Sequence, residues 1–130
     1  MSYKYKISIM KKSLILLFLF ATSAIFAQKT QVVAHRGYWD TPKNAQNSIT
    51  ALKTAQNFPV YGSEFDVNMT SDGVLLVFHD SSVEGKKIET HPYKDFEYFR
   101  LENGEPIPTL DQYLEQAKKH PETVLVYELK

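Results

Sequence analysis

The sequence predicts an α/β domain in which parallel β-strands are connected by helices. Short apolar segments bounded by turn residues alternate along residues 31–129 with two segments of helical periodicity. This alternation is typical of units in which a helix crosses from one strand to a parallel neighbour. Apolar residues form 43% of the chain and aromatic residues 13%, and this content excludes an intrinsically disordered protein.

Residues 1–27 are predicted to be a signal peptide that is removed from the mature chain. Lys11 and Lys12 precede the uncharged segment Leu14–Ala27, which ends in a small residue, and this order of features is typical of export signals. The apolar segment is shorter than the roughly 20 residues of a membrane-spanning helix, which makes an uncleaved anchor the less favoured alternative. We therefore expect an exported protein, periplasmic or secreted, with no stable membrane span after cleavage.

The mature part of the chain is predicted to be acidic, although the whole sequence has no net charge. The chain holds 15 Lys and Arg against 15 Asp and Glu, but four of the lysines lie in residues 1–27, which hold no acidic residue. The remaining 11 basic and 15 acidic residues argue against a nucleic-acid-binding protein, since such proteins usually carry a basic excess. The absence of cysteine excludes disulfide bonds, thiolate metal sites and cysteine nucleophiles.

Four strands are predicted from apolar segments that end at turn or charged residues. In chain order they are Gln31–Ala34, Val60–Met69, Val74–Phe78 and Val124–Leu129. A turn sequence, Ser71–Gly73, separates the second and third segments, so we expect the third strand to be an additional antiparallel one. The other connections contain helical segments, which predict parallel strands.

Two helices are predicted between these strands. The first has Ser48 as its N-cap and extends to about Asn57. The second begins with the capping-box spacing of Thr109 and Gln112 and ends before Pro121. Its apolar face consists of Leu110, Tyr113, Leu114 and Ala117.

The segment between the third strand and the second helix is predicted to be mostly irregular. Ser81–Thr90 is polar and predicts a loop, whereas Tyr93–Leu101 predicts a short helix with clustered aromatic residues. The whole segment is too short for a sizeable inserted subdomain.

Charged and histidine side chains lie at the predicted strands, mostly near their ends. The set consists of His35 and Arg36 after the first strand, Glu64 and Asp66 within the second, His79 after the third, and Glu128 and Lys130 at the last. Because side chains alternate across a strand, residues two apart point to the same face. Glu64 and Asp66 are therefore predicted to share a face, and so are Glu128 and Lys130.

The turn between the second and third strands predicts which of these residues are cross-strand neighbours. If Asp72 and Gly73 form a two-residue hairpin loop, Asp66 lies directly opposite His79. Cross-strand partners have Cβ atoms about 5 Å apart. The sequence therefore predicts an Asp–His pair next to a second carboxylate.

The side chains of these residues include the carboxylate, cationic and imidazole groups that cleavage of a phosphodiester requires. Burying Glu64 and Asp66 without a positive charge is costly, so the pair favours a hard divalent cation, Ca²⁺ or Mg²⁺, over a solvated sheet face. Arg36 can bind a phosphate through paired hydrogen bonds, and Lys130 can bind it as a point charge. Two histidines can exchange protons near neutral pH as an acid and a base. We expect a small anionic substrate.

Short motifs in a fixed order connect these residues to a known family. They are His35-Arg36-Gly37, Gln46-Asn47-Ser48, Gly62-Ser63-Glu64-Phe65-Asp66-Val67, Thr70-Ser71-Asp72-Gly73, His79-Asp80, Ile107-Pro108-Thr109-Leu110 and Glu128-Leu129-Lys130. Each motif is weak alone, but the ordered set, which covers residues 32–130, resembles the glycerophosphodiester phosphodiesterase family. One departure is Ala45-Gln46-Asn47, where the family usually has Pro-Glu-Asn, which puts a charge-based role at Gln46 in doubt.

The resemblance implies a TIM-barrel enzyme that hydrolyses glycerophosphodiesters to glycerol 3-phosphate and an alcohol. It implies the following roles: His35 and His79 as the acid–base pair, Glu64, Asp66 and Glu128 as metal ligands, and Arg36 and Lys130 as phosphate-binding residues. Two alternatives stay open. One is a related phosphodiesterase acting on lipid or inositol headgroups, and the other is an inactive remnant that binds metal or phosphate weakly.

The length of the chain bears on the predicted fold. A complete barrel of this class has eight parallel strands and about 250 residues. Residues 28–130 supply three barrel strands and one antiparallel strand, so we expect the N-terminal portion of such a barrel, truncated and with an open sheet edge. We expect the 130-residue chain alone to be inactive. The sequence indicates no oligomeric state.

Overall fold

The computed structural model describes residues 30–130, and the predicted signal peptide lies outside them. All the elements below belong to one unit, Gln31–Lys130. They are β1 (Val33–Ala34), α1 (Ile49–Gln56), β2 (Gly62–Met69), β3 (Leu75–Val77), β4 (Ser82–Val83), β5 (Lys86–Lys87), α2 (Leu110–Ala117) and β6 (Val124–Leu129). Helices in the described part of the chain are all too short or too polar to cross a membrane.

The main sheet is organised around β2. This strand pairs in parallel with β1, where Val33 is aligned with Gly62, and with β6 from Gly62 to Val67. It pairs antiparallel with β3, where Val67 is aligned with Val77. The predicted parallel strands and the additional antiparallel strand are therefore confirmed, although β1 is shorter than the predicted segment.

Both predicted helices are present and begin at the predicted caps. The Ala51 N–H donates a hydrogen bond of 2.9 Å to the Ser48 hydroxyl at the start of α1. At the start of α2, the Gln112 N–H donates to the Thr109 hydroxyl, and the Thr109 N–H donates to the Gln112 side chain. These bonds satisfy backbone groups that have no partner within the helix.

The helices pack against one face of the sheet and thereby define its two faces. Phe65 and Val67 of β2 are buried in a core that also contains Leu52 of α1 and Tyr113 of α2. The rings of Phe65 and Tyr113 are 4.7 Å apart at their centroids. Because side chains alternate along a strand, the β2 residues immediately before Phe65 and immediately before Val67 project from the opposite face of the sheet.

A second core lies beneath the segment that joins β3 to α2. Its buried members include Leu76, Val83, Ile88, Phe96, Leu101 and Ile107. The predicted loop contains the β4–β5 hairpin, which turns at Glu84 and Gly85 with φ values of 49° and 81°. The predicted helix Tyr93–Leu101 is wrong: only Tyr93–Asp95 forms a single 3₁₀ turn, because burial of Phe96 and Leu101 in this core directs the chain away from a helical path.

The predicted register of the β2–β3 hairpin is also wrong. The residue that lies opposite Asp66 across the hairpin is Phe78 and not His79. The Phe78 N–H donates to the Asp66 carbonyl at 3.0 Å. The loop has three residues, Ser71–Gly73, and ends on Gly73 with a φ of 84°. Thr70 holds this longer loop, since its hydroxyl accepts from the Val74 N–H and donates to the Asp72 carboxylate.

The outer edge of β6 is apolar and exposed. Among residues 30–130, β2 is the only strand that pairs with β6. Val126, Tyr127 and Leu129 are 42%, 65% and 69% exposed. The expected open edge of the sheet is therefore present in the described part of the chain.

Gly37 allows the turn after β1 to approach α1 closely. Its φ is 79°, and an added Cβ would lie 2.6 Å from the Cβ of Ala51. The neighbouring Tyr38 N–H donates to the Ala51 carbonyl at 3.1 Å. The turn that carries His35 and Arg36 is thus fixed against the helix.

We expect Gly37→Ala to destabilise the protein more than Gly73→Ala. Both residues have positive φ, which costs an alanine about 1–2 kcal/mol. Gly73 faces open space, whereas Gly37 would add an overlap with Ala51 that costs about 1–3 kcal/mol more. Urea unfolding of the full protein, followed by the fluorescence of Trp39, measures the difference. Equal losses in the two variants would contradict the close approach at Gly37.

Candidate active site

Three carboxylates form an acidic cluster on the face of the sheet opposite the helices. Glu64 and Asp66 project from β2, and Glu128 of β6 is aligned with Asp66. One carboxylate oxygen from each residue lies within 4.8 Å of the other two. This donor set of hard oxygens could hold a divalent metal ion. The alternation of β2 correctly predicted the shared face of its two acids.

Asp66 is the buried member of the cluster and is held by three neighbours. It is 1% exposed, accepts a bond of 2.9 Å from the Asn47 side-chain amide, and lies 2.9 Å from Lys130 Nζ. Arg36 Nε lies 3.5 Å from its other side. Burial raises the pKa of Asp66, but the hydrogen bonds from Lys130 and Asn47 and the charge of Lys130 outweigh burial and lower it. Asp66 is therefore ionised at neutral pH.

Lys130 bridges two of the three carboxylates. Its Nζ lies 2.9 Å from Asp66 Oδ1 and 2.6 Å from Glu128 Oε1. The hydrogen bonds to Asp66 and Glu128 raise the pKa of Lys130, so its ammonium group stays charged. Lys130 thus supplies part of the positive charge that the buried carboxylate needs.

Arg36 connects the acidic cluster to the loop before α1. It has a φ of 57°, and its N–H donates to Glu64 Oε2 at 2.8 Å. Its guanidinium Nη1 donates to Gln46 Oε1 at 2.6 Å. Its Nε is buried, without a hydrogen-bond acceptor among the described residues. The uncharged Gln46 therefore orients Arg36 without cancelling its charge.

Asn47 is a site residue to which the sequence analysis gave no role. Its side chain donates to Asp66 and accepts from the Asp66 N–H, and its own N–H donates to the Arg36 carbonyl at 3.0 Å. It is 1% exposed and has a φ of 59°. In the sequence, Asn47 lies next to a predicted N-cap and within the motif Gln46-Asn47-Ser48, and neither feature assigns it a role.

The two histidines follow β1 and β3, as predicted. His79 Nδ1 lies 2.7 Å from Asp80 Oδ1, and its side chain is 39% exposed. His35 is exposed and immediately precedes Arg36. Because Asp80 engages Nδ1 of His79, the Nε2 atom of that ring is left for a further partner.

A cavity of about 540 Å³ is lined in part by Arg36 and His79. Besides these two residues it is lined by Ala45, Gln46, Asn47, Phe78, Asp80, Phe99, Arg100, Leu101 and Glu102. His35 and the three carboxylates do not line it. Arg36 and Asn47 thus belong both to the cavity lining and to the surroundings of the acidic cluster, and Arg36 is the charged one of the two.

Comparison with known proteins identifies relatives of the chain. The model of the glycerophosphoryl diester phosphodiesterase family matches residues 35–128. A glycerophosphodiester phosphodiesterase of Caldanaerobacter subterraneus subsp. tengcongensis is 35% identical over an alignment of 99 residues, and the match covers 67% of this chain and 40% of that protein. The chain thus spans less than half the length of this curated relative.

Solved structures of the same kind resemble the described fold. A glycerophosphodiester phosphodiesterase from Parabacteroides distasonis has a TM-score of 0.74 and 49% identity, over 76% of this chain and 42% of that one. An Oleispira antarctica phosphodiesterase in complex with the product sn-glycerol-3-phosphate has a TM-score of 0.65 and 27% identity, over 78% and 44%. The predicted N-terminal part of a TIM barrel is confirmed, with β1, β2 and β6 as its parallel strands.

Proposed function

The chain belongs to the glycerophosphoryl diester phosphodiesterase family, and on this basis we propose that the protein hydrolyses glycerophosphodiesters to glycerol 3-phosphate and an alcohol. The observation that carries this proposal is the position of Arg36. Arg36 lines the cavity, and its guanidinium Nε lies 3.5 Å from Asp66 of the acidic cluster. A phosphodiester bound to Arg36 would therefore lie next to the residues that could hold a metal ion.

The acidic cluster is proposed to bind Ca²⁺ or Mg²⁺. The fit rests on three carboxylates with oxygens within 4.8 Å of one another, on a face where Asp66 is ionised. When bound, such a cation supplies Lewis-acid polarisation of a phosphoryl oxygen. Arg36 and Lys130 are proposed to bind the phosphate, since Arg36 lines the cavity and Lys130 keeps its positive charge.

His35 and His79 are proposed to transfer the protons of the reaction. One imidazole removes a proton from the attacking oxygen, and the other protonates the oxygen of the leaving alcohol. His79 lines the cavity, and its bond to Asp80 fixes the ring with Nε2 available for this transfer. We also propose that the protein acts after export, because a predicted signal peptide precedes the family region.

Removal of metal from the full protein encoded by the gene is expected to abolish glycerophosphodiester hydrolysis. Release of glycerol 3-phosphate is measured with and without EDTA, and then after addition of Ca²⁺ or Mg²⁺. Glu64→Gln and Glu128→Gln are each expected to raise the metal concentration needed for half-maximal activity by about tenfold or more. Glu115→Gln is the matched control, because Glu115 is exposed on α2 and pairs with Lys118. Undiminished hydrolysis in EDTA would contradict the proposed metal dependence.

A further inference from the structure

We propose that Glu105 is a positioning residue of the candidate active site: it fixes the loop of residues 44–48 and, through that loop, the orientation of Asp66 and Arg36. This inference rests on the proposed function, because it concerns the geometry in which these two residues would bind a metal ion and a phosphate. Glu105 lies in the connection before α2, outside the acidic cluster and outside the lining of the cavity. Its influence on the reaction therefore passes through other residues.

The Glu105 carboxylate caps the start of α1 from a distant part of the chain. It accepts hydrogen bonds from the Ile49 N–H at 3.0 Å, from the Thr50 N–H at 3.4 Å and from the Thr50 hydroxyl. The Ser48 hydroxyl accepts from the next amide, that of Ala51. The first turn of α1 contains no acidic residue. Glu105 thus binds amide groups that have no partner within the helix and places a negative charge where the helix dipole favours one.

The segment that carries Glu105 is itself fixed in the fold. The Leu101 N–H donates to the Glu105 carbonyl at 2.8 Å, and the Glu105 N–H donates to the Asn103 side chain at 3.1 Å. Leu101 and Ile107, on either side of Glu105, are buried in the same core as Ala45 of the loop. The segment therefore fixes the loop and α1 in two ways, through apolar packing at Ala45 and through the carboxylate at the start of the helix.

The loop reaches the acidic cluster through Asn47. The Asn47 side chain donates to the Asp66 carboxylate and accepts from the Asp66 N–H, while its backbone N–H donates to the Arg36 carbonyl. Asn47 and Arg36 have φ values of 59° and 57°, and residues other than glycine keep such conformations only where their surroundings hold them. Glu105 binds the amide of Ile49, two positions after Asn47. Its bonds are therefore part of the restraint that keeps Asn47 on Asp66.

Glu105→Ala is expected to lower kcat of the full protein by about 10- to 100-fold, because small displacements of groups at a reaction site reduce rates this strongly. The measurement is glycerol 3-phosphate release from glycerophosphocholine and from glycerophosphoglycerol at saturating substrate and metal. Glu105→Gln keeps an acceptor oxygen and is expected to stay within about fivefold of the wild-type kcat. Asp111→Ala is the matched control, because it removes an exposed carboxylate from the first turn of the other helix, α2. It is expected to leave kcat within about twofold of the wild-type value.

Amide hydrogen exchange measures the restraint without the reaction. In Glu105→Ala, the amides of Asn47 and Asp66 are expected to exchange about tenfold faster than in the wild type, because the bonds that protect them open when the start of α1 is released. The Val77 amide of β3, which donates to the Pro108 carbonyl at 2.8 Å, is the internal control and is expected to keep its rate. A variant that was merely less stable would exchange faster at all three positions.

A double variant tests whether Glu105 acts through Asn47. Asn47→Ala removes the connection between the loop and Asp66, so it is expected to lower kcat at least as much as Glu105→Ala does. Adding Glu105→Ala to Asn47→Ala is then expected to lower kcat by less than about threefold more. If the two losses multiply instead, Glu105 does not act through Asn47 and the inference is overturned.

The outcomes separate this inference from the proposed function. If Glu105→Ala keeps the kcat and the exchange rates of Asp111→Ala, the positioning role is overturned while the phosphodiesterase activity stands. If the wild-type protein hydrolyses neither diester, the proposed function fails, and the exchange of Asn47 and Asp66 still decides whether Glu105 fixes the loop. Should Glu105→Ala not fold, Thr50→Val, which removes the hydroxyl that donates to Glu105, is expected to raise the same exchange rates, and unchanged rates would overturn the inference.

Discussion

Replacing His35 or His79 with alanine is expected to lower kcat for glycerophosphodiester hydrolysis by about 10²–10⁴-fold. Each variant removes one of the two groups proposed to move a proton, and His79 is the one histidine among residues 30–130 that lines the cavity. The measurement is the initial rate of glycerol 3-phosphate release at saturating substrate and metal. The effect is expected in kcat, because the phosphate is proposed to be bound by Arg36 and Lys130, which both variants retain.

His120→Ala provides the control for this prediction. His120 is half-buried and pairs with Glu122 in the connection before β6, and it lines neither the cavity nor the acidic cluster. Its replacement is expected to leave kcat within about twofold of the wild-type value. A His35 or His79 variant that keeps wild-type turnover would show that the residue has no acid–base role.

Asp66→Ala is expected to cause the largest combined loss of stability and activity. Asp66 is 1% exposed and compensates the charges of Arg36 and Lys130 while it accepts a hydrogen bond from Asn47. Removal of one partner from a buried charged network typically costs about 3–5 kcal/mol. Arg36 and Lys130 are about one-fifth exposed, so we expect a value near the lower end. Urea unfolding measures this loss.

Asp66→Asn separates the two contributions of this residue. Asparagine keeps the size of the side chain and can still accept a hydrogen bond, but it lacks the negative charge. We therefore expect a smaller loss of stability than with alanine and a comparable loss of metal-dependent activity. Asp40→Asn, at an exposed position outside the site, is the control. An Asp66→Asn variant with wild-type metal dependence would exclude Asp66 as a metal ligand.

The parts of the fold that were predicted from the sequence depend on local interactions. Ser48 and the pair Thr109 and Gln112 cap their helices through side chains that lie only three positions from the groups they bond. The shared face of Glu64 and Asp66 follows from the alternation of any strand. Such features depend on residues that are neighbours along the chain, and therefore they can be read from it.

The parts that were missed depend on distant residues or on backbone conformation. The observed β2–β3 register differs by one residue from the predicted register, because Thr70 and Gly73 stabilise a three-residue loop. A difference of one residue reverses the face on which every later side chain of the strand lies. The β4–β5 hairpin turns at Glu84 and Gly85, which is not one of the common turn dipeptides. Asn47 bonds to Asp66 from a backbone conformation with positive φ, which no spacing in the sequence indicates.

The pairing of β2 with β6 has a consequence for the order in which the site forms. Glu64 and Asp66 are synthesised long before Glu128 and Lys130, and they are brought together by the pairing of Gly62–Val67 with Val124–Leu129. Strands that are distant along the chain pair slowly. The loop between them must close first, and contacts between the strands compensate for the lost conformational entropy only afterwards. Until β6 docks, the two acids of β2 repel each other without Lys130 beside them. The acidic cluster therefore forms late in folding, in the same step in which β6 pairs with β2.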